Sequence, residues 1–203
     1  MVRALILLLM LCGFTLPAVA IEDLPAVLAR IRQAATGVQS LESDFIQEKD
    51  LAMFATTIRS RGHLAFMRER RLRWELLEPS ASGFVLDGEH GRRWHNLQGK
   101  DERFDINDDP LMAAISGQLL AWFRADFTWL QQQFRIELLD TDPVRLVLHP
   151  LGDKGPLQQI EITFAADDRS ITRVELTEPD GDSTRLVFEH TRINPTLDSA
   201  QFR

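Results

Sequence analysis

The hydrophobic positions of this chain change rhythm several times, and each rhythm predicts a different kind of segment. After the single positive Arg3, Ala4 to Leu16 is an almost unbroken apolar run, and Ala18-Val19-Ala20 follows as a small-x-small cleavage site. That order is a secretory signal over residues 1–20, with the working chain starting at Ile21. The run is shorter than the roughly 20 residues a spanning helix needs. Beyond it the spacing turns helical. Leu24, Val27, Leu28, Ile31 and Val38 form one stripe with Ala34 and Ala35 between them, Asp23 is placed to cap the start and Gly37 marks the end, while Arg30, Arg32 and Gln33 take the other face.

From Leu41 the period becomes two. Leu64 and Phe66, then Leu72, Trp74 and Leu76, then Phe84 and Leu86 alternate with polar or small neighbours, and Glu78-Pro79 and Asp87-Gly88 divide them as turns. The alternation is interrupted once. Asp109-Pro110 is a cap followed by a first-turn proline, Leu111, Met112, Ile115, Leu119, Trp122 and Phe123 make a broad helical stripe, and a second short helix fits Asp126 to Gln133. Strands then resume through Phe134, Ile136 and Leu138, Val144 to Leu148, Ile160 to Phe164, Val174 and Leu176, and Leu186 and Phe188. Asp167-Asp168-Arg169 and Asp180-Gly181-Asp182 stand where hairpin turns belong. The pattern predicts a mainly β chain with helices, of α+β class. An antiparallel sheet of roughly ten to eleven strands does not stay flat. The simplest way to bury its one oily face is an unclosed half-barrel wrapped around an N-terminal helix and an inserted helical lid. With no repeat, low-complexity tract or Gly/Ser linker, residues 21–203 read as a single domain.

Composition narrows the partners. The chain carries 23 Lys plus Arg against 30 Asp plus Glu, a formal net charge of -7, so nucleic acid and anionic membrane surfaces are poor electrostatic partners. Its only cysteine, Cys12, lies inside the signal. Lipid attachment there would require a small residue before it, and Leu11 stands in that place, so the expected mature protein is soluble, unanchored and free of disulfide chemistry. His63, His90, His95, His149 and His190 are scattered without metal-ligand spacing, which predicts no metal and no cofactor. There is no nucleophile elbow, zinc-helix motif or phosphate loop. Asp105 to Asp109 reads as a solvated turn leading into a cap. No nucleophile and base pair can be named, so a lipid hydrolase is the weaker class and no catalytic residue is assigned.

The segment Phe66 to Trp74 holds the densest charge. Arg70, Arg71 and Arg73 read as a basic hairpin tip in water, with Arg73 on the outer face. Arg68 differs, because counting by twos from Phe66 puts it on the oily face at the rim, where its guanidinium needs acceptors such as the free carbonyls of a helix end. That contact is expected to tie the sheet to the helical insert.

At these residues the sequence resembles the LolA family, periplasmic carriers that take lipoproteins from the inner to the outer membrane. The matching features are the signal and first helix, Val38-Gln39-Ser40-Leu41-Glu42-Ser43-Asp44-Phe45-Ile46-Gln47, Gly62-His63-Leu64-Ala65-Phe66, the Arg68 to Trp74 segment, Glu78-Pro79, and Val85-Leu86-Asp87-Gly88 with Trp94. The resemblance implies an unclosed barrel with helices as a lid over a hydrophobic cavity, and it places Arg68 where the family has a lid-contacting arginine. The expected cavity residues are Leu64, Phe66, Leu72, Trp74, Leu76, Phe84 and Leu86 from the sheet, with Met112, Ile115 and Leu119 from the insert. The implied partners are an acylated lipoprotein or lipid cargo, an inner-membrane releasing complex and an outer-membrane acceptor, served by a monomer.

Three departures mark a divergent branch. Glu69 replaces the family's usual proline, the Asp87 to Trp94 loop is longer, and the chain stops at Phe202-Arg203, where the usual carrier continues into a Pro-Gly-containing tail. A glycolipid or other lipid cargo is the alternative they raise, and a structural or interaction module with a filled core is another. The related receptor LolB is lipid-anchored, which Leu11 argues against here. The expected outcome for the native protein is an N-terminus at Ile21 in the soluble periplasmic fraction. N-terminal sequencing that found Cys12 acylated, or residues 1–20 retained, would refute this.

Overall fold

Two short polar caps and a long alternation account for most of the architecture. The computed structural model describes residues 22–68, 70–95, 100–152 and 156–203, so the expected signal with Leu11 and Cys12, and also Glu69, lie outside the described residues. Helix α1 (Leu24–Thr36) starts where the Asp23 carboxylate accepts the Ala26 N–H at 3.0 Å, and it buries Val27, Leu28, Ile31 and Ala35. Helix α2 (Pro110–Arg124) starts in the same way, with Asp109 accepting from Met112 and Pro110 in the first turn. Helix α3 (Phe127–Gln133) follows directly.

The strands are β1 (Ser40–Leu51), β2 (Thr56–Met67), β3 (Arg71–Glu78), β4 (Ser82–Asp87), β5 (His90–His95) and β6 (Lys100–Asp105), then β7 (Phe134–Thr141), β8 (Val144–Pro150), β9 (Gln159–Phe164), β10 (Ile171–Thr177) and β11 (Ser183–Ile193). Among the described residues they form one 11-stranded sheet in the order β6-β5-β4-β3-β2-β1-β11-β10-β9-β8-β7, paired antiparallel throughout. The sheet is therefore unclosed, with β6 and β7 at its edges. β5 and β6 go beyond the alternating segments read from the sequence. Their residues, His90 to His95 and Lys100 to Asp105, carry almost no apolar alternation, and backbone pairing of β5 to β4 and of β6 to β5 places them.

The concave face holds the core. Leu64, Phe66, Leu72 and Leu86 are fully buried there, and Phe45 stacks on Trp74 with centroids 4.3 Å apart. Gly62 makes this stack possible, because a Cβ at that position would lie 2.1 Å from the Phe45 ring. Each fully buried large apolar side chain contributes about 1.5–3 kcal/mol.

The basic segment of β3 is not free in water. Arg71 pairs with Asp87 at 2.8 Å, while Arg73 pairs with Glu75 at 2.7 Å, donates to the Gln201 carbonyl at 2.9 Å and sits over Trp94. The C-terminal turn Ser199–Phe202 lies against β3 and β4, with Phe202 buried. Arg73 fastens that turn to the outer face.

Arg68 does find helix-end carbonyls, but on a different helix from the one expected. Its Nε donates to the Val38 carbonyl at 2.9 Å and a terminal nitrogen donates to that of Ala35, both at the C-terminal end of α1. The link to the insert runs the other way, from the Arg124 guanidinium at the end of α2 to the backbone carbonyl of Arg68. Alternation fixed the face of Arg68, but not which helix crosses above it. Replacing it in Arg68→Met should cost about 1.5–3 kcal/mol, the range for hydrogen bonds from a charged donor. Hydrogen exchange should rise over residues 33–38 and stay near the parent level over 110–124. The reverse pattern would mean that Arg68 holds the insert instead.

Candidate functional site

The three helices do not cover the whole concave face. Between α2 and the strands, an apolar cavity of about 410 Å³ is left, within the range of about 300–1,000 Å³ usual for small-molecule sites. Trp74 and Phe84 come from β3 and β4, Leu176 and Leu186 from β10 and β11, and Ile115 and Leu119 from α2. Leu111, Trp122 and Leu157 complete the apolar wall, while Gln47, Gln118, Glu178 and Thr184 supply its polar rim. A second recess of about 280 Å³, lined in part by Phe84 and Met112, lies toward β5 and β6.

The expected cavity residues divide accordingly. Trp74, Phe84, Ile115 and Leu119 line the larger cavity, and Met112 lines the second recess. Leu64, Phe66, Leu72 and Leu86 are fully buried in the packed core, and Leu76 is half-buried against it. Arg68 lines neither space. Leu176 and Leu186 belong to the same alternating pattern in the sequence, but alternation alone does not separate them from the packed positions of the concave face. Gln47 and Gln118 carry no sequence signal of their own, because a polar rim residue resembles any exposed residue.

Charge around the cavity is paired. The Asp109 carboxyl is held below the usual carboxylate range, chiefly by the backbone N–H of Met112 and also by Arg93, whose guanidinium lies 2.8 Å away. Glu178 meets Lys49 at 3.3 Å on the rim. Glu178, Asp180 and Asp182 lie close together, yet their oxygens already serve Lys49, the Asp182 N–H and the Ala52 N–H respectively. The wall as a whole suits hydrocarbon. Its one buried exception is the Trp122 indole N–H, which has no hydrogen-bond partner among the described residues.

Comparison with known proteins agrees with this geometry. The family model described as outer membrane lipoprotein carrier protein LolA matches residues 36–203. An outer-membrane lipoprotein carrier protein of Pseudoalteromonas translucida is 19% identical over 165 residues, covering 81% of this chain and 76% of the relative. Among solved structures, an uncharacterized conserved protein from Thermus thermophilus superposes with a TM-score of 0.54 at 12% identity, over 88% of this chain and 91% of the other. MucB in its complex with MucA from Pseudomonas aeruginosa gives 0.50 at 14% identity, over 87% of this chain and 59% of that one. At such identities the structural likeness is one of fold alone, whereas the family match spans the sheet, the inserted helices and the cavity they enclose. The chain belongs to the LolA family of outer membrane lipoprotein carrier proteins.

Proposed function

We propose that the protein is a periplasmic carrier whose cavity shields the acyl chains of a lipoprotein or related lipid on the way from the inner to the outer membrane. The observation that carries this reading is the open apolar cavity between α2 and the strands, left unfilled by a core that is otherwise closely packed. Hydrocarbon is the natural occupant of such a wall, since each buried methylene contributes about 0.8 kcal/mol. Family membership favours a lipoprotein as the cargo over a glycolipid. A filled-core module is the weaker alternative, because the space between Trp74, Ile115 and Leu186 is not filled.

In this role the protein acts as a monomer between an inner-membrane complex that releases the cargo and an outer-membrane acceptor that takes it. The sequence has no nucleotide-binding loop, so the energy for release comes from the partner or from the downhill transfer itself. Among the described residues no helix is long and apolar enough to cross a membrane, in keeping with a carrier that travels between two of them.

The test uses a cavity residue whose change spares the core. Ile115 lines the cavity yet is 38% exposed, so Ile115→Glu places a carboxylate against the bound chain without disturbing packing. An unpaired charge in apolar surroundings costs several kcal/mol, so affinity for a fluorescent acyl probe should fall by about tenfold or more with the melting temperature unchanged. Leu72→Glu should instead unfold the protein, because Leu72 belongs to the buried core. Undiminished probe binding by folded Ile115→Glu would remove the cavity from the mechanism.

A further inference from the structure

On the β3 side the β1–β2 hairpin outreaches its neighbouring strand, whereas on the other side β11 accompanies β1 as far as Asp50↔Ser183. β1 and β2 pair along their whole length, from Ser40↔Met67 to Leu51↔Thr56, but β3 joins β2 only as far as Arg61↔Glu78. Residues Thr56 to Ser60 therefore have no paired strand on that side, and at roughly 3.4 Å per residue the tip projects about 17 Å past the end of β3. The turn at its end, Ala52–Phe54, leaves Met53 87% and Phe54 70% exposed, and Ile58 beside it is 45% exposed. From Leu51 to Ile58 the sequence Leu-Ala-Met-Phe-Ala-Thr-Thr-Ile holds no charged residue, whereas Asp50 and Arg59 bound it on either side.

This tip is fastened to the cavity rim. The Asp182 carboxylate accepts the Ala52 N–H at 2.9 Å, and Glu178, which lines the cavity, meets Lys49 at 3.3 Å. Gln47, two residues before Lys49 on the same strand face, is itself part of the rim. Leu111, 64% exposed, stands at the same mouth from the α2 side.

Resting on the carrier reading above, we propose that the Met53-Phe54 tip enters the headgroup–acyl boundary of a lipid bilayer and so presents the cavity mouth to the membrane. Two side chains on a narrow turn are too small for a stable protein interface, which needs about 1,000 Å² with complementary contours. A bilayer imposes no such requirement and takes any apolar wedge. The uncharged run matters for the same reason, because Met53 and Phe54 carry no charge that must lose its hydration on entering, and the Asp182 carboxylate at the Ala52 N–H limits insertion to these outermost side chains. With a net charge of -7, the protein has no electrostatic attraction to an anionic surface to fall back on, so insertion depends on apolar contact.

Flotation with vesicles of phosphatidylethanolamine and phosphatidylcholine, run beside binding of a soluble fluorescent acyl probe, tests this. Parent protein should float with the vesicles, and the double variant Met53→Ser, Phe54→Ser should lose partition by about tenfold or more while binding the probe as the parent does. Phe54→Leu keeps the apolar tip and should float like the parent. Raising the salt concentration should not weaken partition. Failure of the parent to float, as expected if the tip serves a protein receptor, would overturn the inference. Equal flotation of the serine variant would also overturn it, as would a parallel loss of probe binding, which would make the tip part of the cavity wall. Absence of probe binding in the parent would instead strike the carrier reading, whatever the vesicles show.

Discussion

Both covering helices are held to the sheet at one residue of the β2–β3 turn. The Arg68 side chain donates to the carbonyls of Ala35 and Val38 where α1 ends, and the Arg68 carbonyl receives the guanidinium that ends α2. Burial first, and then the nearby Arg70 and Arg68 charges, pull the Arg124 pKa below its ordinary value, so its place there is costly and depends on the bond it makes. The other end of α2 is tied differently. Asp109 meets Arg93 on β5 in a pair that solvent reaches, and such pairs are screened and contribute little. The helix is thus fixed at its C-terminus and held more weakly at its N-terminus.

The cavity lies beside the weakly held end, and the gradient of packing along α2 explains it. Near the C-terminus Phe123 packs on Phe66 and Phe188, closing the layer between helix and sheet. Toward the N-terminus Met112 and Leu119 still face inward, but Leu111 and Ile115 are left exposed at the mouth. A helix with this much apolar surface is wider in its stripe than one face of a sheet can cover. The surplus is what a bound hydrocarbon chain would cover, and it sits on the part of the helix that can move most cheaply.

Much of the fold was legible in the residues. Asp23, Asp109 and Pro110 mark helix starts, and alternation through Leu64, Leu72, Trp74 and Leu86 marks the strands and their inner face, because capping and pleating are local effects. β5 and β6 were not legible, since their place comes from backbone pairing, β5 to β4 and β6 to β5, and not from side-chain pattern. The site was legible only in part. Alternation tells concave from convex, so it grouped Leu64 and Leu72 with Trp74 and Phe84. Whether a concave residue meets a helix or an empty space depends on where α2 lies, which is a matter of tertiary packing. Arg68 shows the same limit from the polar side, for its need of carbonyls was readable while the helix that provides them was not. The protruding tip is a further case, because the uncharged run can be read directly but its reach depends on where β3 stops.

Carriage requires that binding be strong enough to shield a chain and weak enough to release it. Complete burial of about fifteen methylenes would contribute on the order of 12 kcal/mol, which corresponds to about nanomolar affinity and slow escape. The cavity as it stands is open at the mouth, so a bound chain either leaves some methylenes in contact with water or displaces α2 from its N-terminus as far as Leu119 to make room. Displacement has a cost of its own. Met112 and Leu119 are buried between α2 and the sheet, and exposing each gives back about 1.5–3 kcal/mol, equivalent to several methylenes of cargo. The cover thereby sets the net affinity below the transfer limit of the chain, and anything that favours the displaced helix, such as contact of its exposed mouth with a membrane or receptor, lowers it further. A carrier can in this way hold a hydrocarbon chain in water and still surrender it downhill.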